Sequence, residues 1–219
     1  TLLANYSTER VGAAWEIIEE AGKSTRFMTP PTRGFRLLRD AVLSLSLTEA
    51  FVRPLYHWRT SRPHAYSHSS LNCPVDDNAQ FQDGPAHGAP PLNVRLTDTQ
   101  FLLDHLGGGF DLLWFGASDT LPADVLASVA QWRAKGLPLQ VTCIAQGADL
   151  AGLQPSQANA PWLQTLCDAQ GRVHSRYGVT APGAAYLLRP DQHICARWLH
   201  LDAQRLDAAL VQATTGEAL

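Results

Sequence analysis

The chain has 219 residues, with 17 Lys and Arg against 20 Asp and Glu and a formal net charge of -3, so it lacks the basic excess that a phosphate-driven grip on nucleic acid requires. Hydrophobic residues make up 45% and charged residues 17%, enough apolar side chain for a sizeable core and a composition unlike that of a disordered chain. No apolar run reaches the roughly 18 residues of a membrane span, and the first residues, TLLANYSTER, lack the basic start and apolar stretch of a secretory signal; a soluble, cytoplasmic protein of one domain, or one domain with an appendage, is expected.

Residues 1–28 read as one amphipathic helix, because Val11, Ala14, Ile18 and Ala21 recur at intervals of three and four while Glu9, Glu16, Glu19 and Glu20 lie mostly off that stripe. The helix starts at full amphipathic strength with no cap before Leu2, which suggests that its natural lead-in is missing. Pro30 and Pro31 end it. A second helix is expected from about Phe35 to Leu47, with Phe35, Leu38, Val42 and Leu45 on one side. From about Thr60 to Pro91 the chain is rich in Pro, Ser, Asn, Asp and His without sustained period, and reads as a long connector draped over a surface.

After residue 96 the pattern is that of an α/β unit. FDLLWFGA, residues 110–117, is a short apolar run of the kind buried on both faces of a sheet. A helix follows, with Ser118, Asp119 and Thr120 as capping oxygens, Pro122 in its first turn and Val125, Leu126, Val129 and Trp132 on one face. LPLQVTCIA, residues 137–145, is the next parallel strand. A further helix is expected over roughly Pro161 to Gln170. Residues 183–198 form two β-rich runs turning at Arg189, Pro190, Asp191 and Gln192, and a closing helix from Asp202 to Thr214 carries Leu206, Ala209, Leu210 and Ala213 inward. The order β, α, β, α, β, β, α is that of a thioredoxin-like domain in the α/β class, preceded by a helical arm and a long connector. The boundaries are 1–28, 29–95 and 96–219.

The chemistry-bearing residues do not assemble into a motif. Cys73, Cys143, Cys167 and Cys195 never form a CxxC pair and read as free thiols in a reducing compartment. A redox thioredoxin needs a cysteine at the helix N-terminus after its first central strand; here that loop reads GASDTLPADV, so the domain is expected to be redox-inactive. Asp119 and Asp124 would repel an anion from the same helix N-terminus, and capping is the better reading. His57, His64, His68, Cys73 and His87 crowd the connector without metal-ligand spacing, while His105, His174, His193 and His200 are scattered. There is no GxSxG elbow, GxGxxG fingerprint or phosphate loop; Gly107, Gly108 and Gly109 precede a strand and read as a turn. Arg189, Asp191 and Arg197 read as turn chemistry and surface pairing. Trp58, Trp114, Trp132, Trp162 and Trp198 are core or interface material. No catalytic, cofactor-binding or metal-ligating residue is assigned.

Three segments carry a resemblance. LLANYSTERVGAAWEII (residues 2–18), FDLLWFGAS (110–118) and YGVTAPGAAYLLRPDQHICARW (177–198), taken in order, resemble the C-terminal part of the FAD-dependent aromatic-ring hydroxylases, the flavoprotein monooxygenases that include phenol hydroxylases and 3-(3-hydroxyphenyl)propionate hydroxylases. The first looks like the helix that closes the family's flavin domain, and the others like strands of its appended thioredoxin-like domain. PPTRGFRLLRDAV (30–42) and DAQGR (168–172) look most like the hydroxyphenylpropionate branch. The resemblance implies a parent protein that hydroxylates a phenolic ring with FAD and NADH or NADPH, the flavin supplying the oxygen chemistry. The family's flavin-binding motifs lie upstream of residue 1, so none transfers to a position here and no cofactor is expected on this chain alone. Its implied partner is the missing flavin and substrate domain, with a homodimer as a further possibility and neither nucleic acid nor membrane. The chain departs from the family at Gln192, where a glycine usually follows RPD, and at Pro182, one position from a thioredoxin's cis-proline. A free-standing binding module on a redox-dead thioredoxin fold is the alternative; an apolar stripe at Val11, Ala14 and Ile18 left bare would mark a missing partner instead.

Overall fold

The repeat at the start of the chain folds as helix α1, Leu2–Met28, in a computed structural model that describes residues 2–55, 63–117, 120–147 and 160–216. Lys23 braces its last third, with Nζ 3.0 Å from Glu19 and 2.7 Å from Glu20, the i,i+4 and i,i+3 spacings at which helix side chains meet. Helix α2, Arg33–Leu45, begins where Thr32 Oγ1 accepts from the Phe35 N–H, a side-chain cap that satisfies one orphan donor. It starts and stops two residues before the sequence pattern suggests. A 3-10 turn over Ala50–Leu55 contains Pro54. From Tyr6 on, these elements belong to one unit, Tyr6–His64; the second comprises Thr1–Asn5, which includes the first turn of α1, with Ala65–Leu219.

In the second unit, strands β1 (Phe110–Phe115), β2 (Leu139–Gln146), β3 (Leu163–Asp168), β4 (Ala185–Leu188) and β5 (Ile194–Trp198) form one mixed sheet in the order β3-β2-β1-β4-β5. β1, β2 and β3 run parallel, whereas β4 is antiparallel to β1 and β5 to β4. The expected βαβ unit and hairpin are thus both present. Every residue of β1 is buried, since period-two alternation sends Leu112 and Trp114 to one face and Leu113 and Phe115 to the other. On the first face lie helices α3 (Ala123–Ala134) and α5 (Ala203–Thr215), contributing Val125, Val129, Leu206, Ala209 and Leu210. The second face meets Val173 of the short helix α4 (Arg172–Arg176), the connector residues Phe81 and Val94, and Leu102 just beyond the connector.

Three local expectations are corrected. Residues 163–168 are not helical: they pair with β2 from Val141↔Leu163 to Gln146↔Asp168, since the free edge of β2 offers a ladder that local periodicity does not reveal. Helix α3 takes Pro122 itself as N-cap, without a side-chain cap. Thr120 donates its hydroxyl to the Ala117 carbonyl at 2.7 Å instead of capping, and Ser118 and Asp119 lie outside the described residues.

The connector is also more than a drape. Cys73 N–H donates to Cys195 O at 2.7 Å, Asp77 N–H to Arg197 O at 2.9 Å, and Gly88 N–H to Ile194 O at 2.6 Å, while Ile194 N–H donates to Ala89 O. Residues 73–89 thereby satisfy backbone groups on the outer edge of β5, an edge that would otherwise be open to pairing with another chain. Gly88 also lets the connector fold back on itself: Tyr66 N–H donates to Gly88 O at 2.7 Å, and a Cβ at Gly88 would sit 2.3 Å from Tyr66 O. No described helix is long and apolar enough to cross a membrane.

Candidate functional site

Crevices outside the carboxyl ends of parallel strands are the usual ligand positions in α/β sheets. Here the ends of β1 and β2 and the Val179–Gly183 loop border a cleft of about 630 Å³. Its walls include Trp114, Phe115, Gln146, His174 and Pro182, and its described lining residues include no cysteine or serine. Among the described residues, the chemistry-bearing pair here is His174 with Asp168, of which the sequence pattern gives His174 only as one of several scattered histidines. His174 Nδ1 lies 2.9 Å from Asp168 Oδ2, which also accepts the backbone N–H of Val173 (2.9 Å) and His174 (3.0 Å). Burial works to raise the Asp168 carboxyl, but the His174 ring and these N–H donors outweigh it and hold the group below its ordinary range. Asp168 is first the cap that starts α4; through it the imidazole is fixed edge-on to Phe115, ring centroids 5.2 Å apart. An Asp four residues before the start of a short helix, with a Gly at the N-cap between them, is the signal that could have found it. Among the described lining residues neither a cysteine nor a serine stands with this imidazole to complete a catalytic set. No described peptide bond is cis, Pro182 included.

The RPD turn is formed as its residues demand. Arg189 pairs with Asp191 through Nε at 3.1 Å and Nη2 at 2.6 Å, and Gln192 closes the turn with φ +62°, a left-handed conformation that glycine adopts without strain. Burial would raise the Asp191 carboxyl, but His193 and Arg189 hold it far below its ordinary range. Arg197, expected at the surface, is instead 5% exposed. Its guanidinium donates to Asn78 Oδ1 (2.6 Å), Asn78 O (3.0 Å) and Asp83 O (3.1 Å) and lies 4.6 Å from the Phe81 ring centroid. It is a buried clamp that holds the connector on the hairpin, and neutral carbonyl oxygens take the place of a carboxylate because the connector supplies them at the right depth. Asp77 completes the attachment through Arg205, at 2.6 and 3.0 Å.

The other candidates disperse. His64 pairs with Glu16, and His87 with Asp76 at 3.1 Å; His57 and Trp58 lie outside the described residues. Among the described residues no three His, Cys, Asp or Glu side chains come together as a metal site. Burial pushes the Cys195 and Cys73 thiols up, which suppresses the thiolate that redox or nucleophilic work requires. Gly107 and Gly108 take positive φ and make the expected turn before β1.

The largest departure from an ordinary protein surface is on the arm. Among the described residues, apart from Val75 and Phe101, every large apolar side chain standing exposed lies between Leu3 and Leu55. Val11, Trp15, Ile17 and Ile18 on α1 and Leu37, Leu38 and Leu43 on α2 are 47 to 68% exposed, and Ala14 is exposed with them. The stripe at Val11, Ala14 and Ile18 is bare, and exposed apolar surface on this scale marks an interaction site.

No family model matches the chain, and no curated protein does. Among solved structures, it is similar to the rebeccamycin biosynthetic enzyme RebC with reduced flavin: 25% identity over 99% of this chain and 37% of that one, with a TM-score of 0.57. A RebC variant, RebC-10x, with bound 7-carboxy-K252c matches at 24% identity, 98% of this chain and 36% of that one, TM-score 0.59. The chain therefore spans little more than a third of these relatives. A domain of a possible thiol-disulfide isomerase from Cytophaga hutchinsonii aligns over 60% of the chain at a TM-score of 0.43, too slight a likeness to bear on function.

Proposed function

We propose that this chain is the C-terminal region of a cytoplasmic FAD-dependent monooxygenase that uses NADH or NADPH to hydroxylate a phenolic ring, of the 3-(3-hydroxyphenyl)propionate hydroxylase type. Within it, residues 1–28 complete the flavin domain, residues 29–95 connect, and residues 96–219 are a thioredoxin-like domain that carries no redox chemistry. The role of the piece is structural: it docks on the flavin and substrate domain and can contribute to a dimer interface. The observation that carries the reading is the bare apolar face of the arm in a chain alignable over its whole length with a little over a third of a flavin-binding enzyme. The motif order in residues 2–18, 110–118 and 177–198 points the same way. A cleft without cysteine and thiols raised by burial fit a domain that has kept its fold for packing.

The test is to precipitate the native protein from its source cells with an antibody against this chain and record its visible spectrum. The proposal expects a flavin spectrum that NADH or NADPH bleaches, faster when a phenol is present. A colourless precipitate, or tight stoichiometric FAD binding by the 219-residue chain alone, would overturn it.

A further inference from the structure

Away from the arm and from the cleft at the strand ends, a second concavity of about 440 Å³ opens between the connector at residues 93–95 and helix α4. Three arginines line it, Arg95, Arg172 and Arg176, alongside Asn93, Gln170 and Ser175. Its described lining includes no carboxylate, in a protein whose net charge is -3.

Two features make this concentration of charge unlike an ordinary solvated face. Arg172 and Arg176 are four residues apart on a helix five residues long, so their side chains share one face, and like charges at that spacing repel. Neither side chain makes a hydrogen bond or ion pair with any described residue. Arg95 is anchored from its own side, donating to Thr97 O at 3.0 Å and to Asp98 O at 2.9 Å, with Asp98 Oδ1 at 3.1 Å. Asp98 thus answers one of the three charges, and its side chain is fully exposed, where an ion pair counts for little. The neutral neighbours offer donors as well: Asn93 Oδ1 accepts from Leu103 N–H at 3.3 Å, which turns its amide to that bond through oxygen and leaves the NH2 group as the remaining polar end.

We infer that the cleft between residues 93–95 and α4 binds a phosphate-bearing small molecule, with Arg172 and Arg176 as the principal ligands and Arg95 as the opposing wall. Guanidinium forks match phosphate oxygens two at a time, and an anion placed among the three removes the repulsion on α4. The volume suits a diphosphate group. This inference rests on the second unit alone and stands whether or not the chain belongs to a flavoenzyme.

The test is calorimetric titration of the full chain with inorganic pyrophosphate and with ADP at low ionic strength, beside the Arg172→Gln/Arg176→Gln double variant and a remote control, Lys135→Gln. Binding by the wild type and the control, weakened at least tenfold in the double variant with unfolding midpoint retained, is expected. Equal affinities would mark a site that reads phosphates alone, and tighter binding of ADP would mark a nucleotide as the source. No heat with either probe at millimolar concentration, or binding that the double variant keeps, would overturn the assignment.

Discussion

Asp111 on β1 is the buried group whose replacement should speak most clearly. It is 1% exposed, Oδ2 accepts from Gly107 N–H at 2.9 Å, and Oδ1 is buried without a partner. Burial raises its carboxyl to about 6, with Gly107 only partly opposing. A carboxyl raised on folding gives stability that is full below its unfolded value near 3.8, is lost as the pH climbs to about 6, and stays lost above, because over that interval the native state holds the proton the unfolded chain has released. Two pKa units correspond to about 3 kcal/mol. Asp111→Asn keeps the acceptor for Gly107 and removes the ionisation, but sets an amide NH2 where Oδ1 has no partner, at a cost of about 1 kcal/mol or more. The variant should therefore be about 1–2 kcal/mol more stable than wild type at pH 8 and no more stable at pH 4. Urea unfolding followed by tryptophan fluorescence between pH 4 and 8 measures the difference. Taking it between the two proteins cancels the opposite slope from Asp77, Asp168 and Asp191, all held below their ordinary range. A difference that does not change with pH would refute the reasoning.

Four further outcomes are expected. Arg197→Leu, which removes a buried guanidinium from its three carbonyl acceptors and frees the connector, should cost about 2 kcal/mol or more by urea unfolding, and an effect below about 0.5 kcal/mol would contradict the clamp. Gln192→Gly should raise stability by about 1 kcal/mol by relieving the left-handed backbone, and a fall would show that the Gln192 side chain matters more than its φ. Cys73 and Cys195 should resist a thiol reagent in the native protein and react on unfolding, with rapid native modification at either counting against burial as the cause of their raised thiols. Trp15→Glu with Ile18→Lys should leave the unfolding midpoint of the isolated chain within about 1 kcal/mol of wild type, because both sites are exposed, while lowering self-association in sedimentation; loss of folding would mean that α1 is held by its own chain.

How much of this was legible in the sequence depended on where each segment finds its partners. Helices α1 and α2, strand β1, the β1-α3-β2 unit, the hairpin and α5 carry their period within themselves. β3 does not: LQTLCD is an edge strand whose hydrogen-bonded neighbour lies more than twenty residues back, and only the ladder with Val141–Gln146 makes it a strand. The connector was opaque for a related reason, since Cys73, Asp77 and Gly88 bond to β5 through backbone groups that side-chain pattern cannot reveal. Arg197 looked like a surface charge because its acceptors, Asn78 and Asp83, are neutral or backbone atoms more than a hundred residues away. The absence of sulfur from the loop after β1 could be read directly, whereas the cleft with Arg172 and Arg176 required knowing that α4 stands beside residues 93–95.

The central claim is that the bare arm belongs against a flavin domain of the same polypeptide, and the size of the native protein tests it most directly. Immunoblotting source-cell lysate with an antibody against this chain should show one band much larger than 23.9 kDa. A band at 23.9 kDa, with nothing above it, would contradict the account.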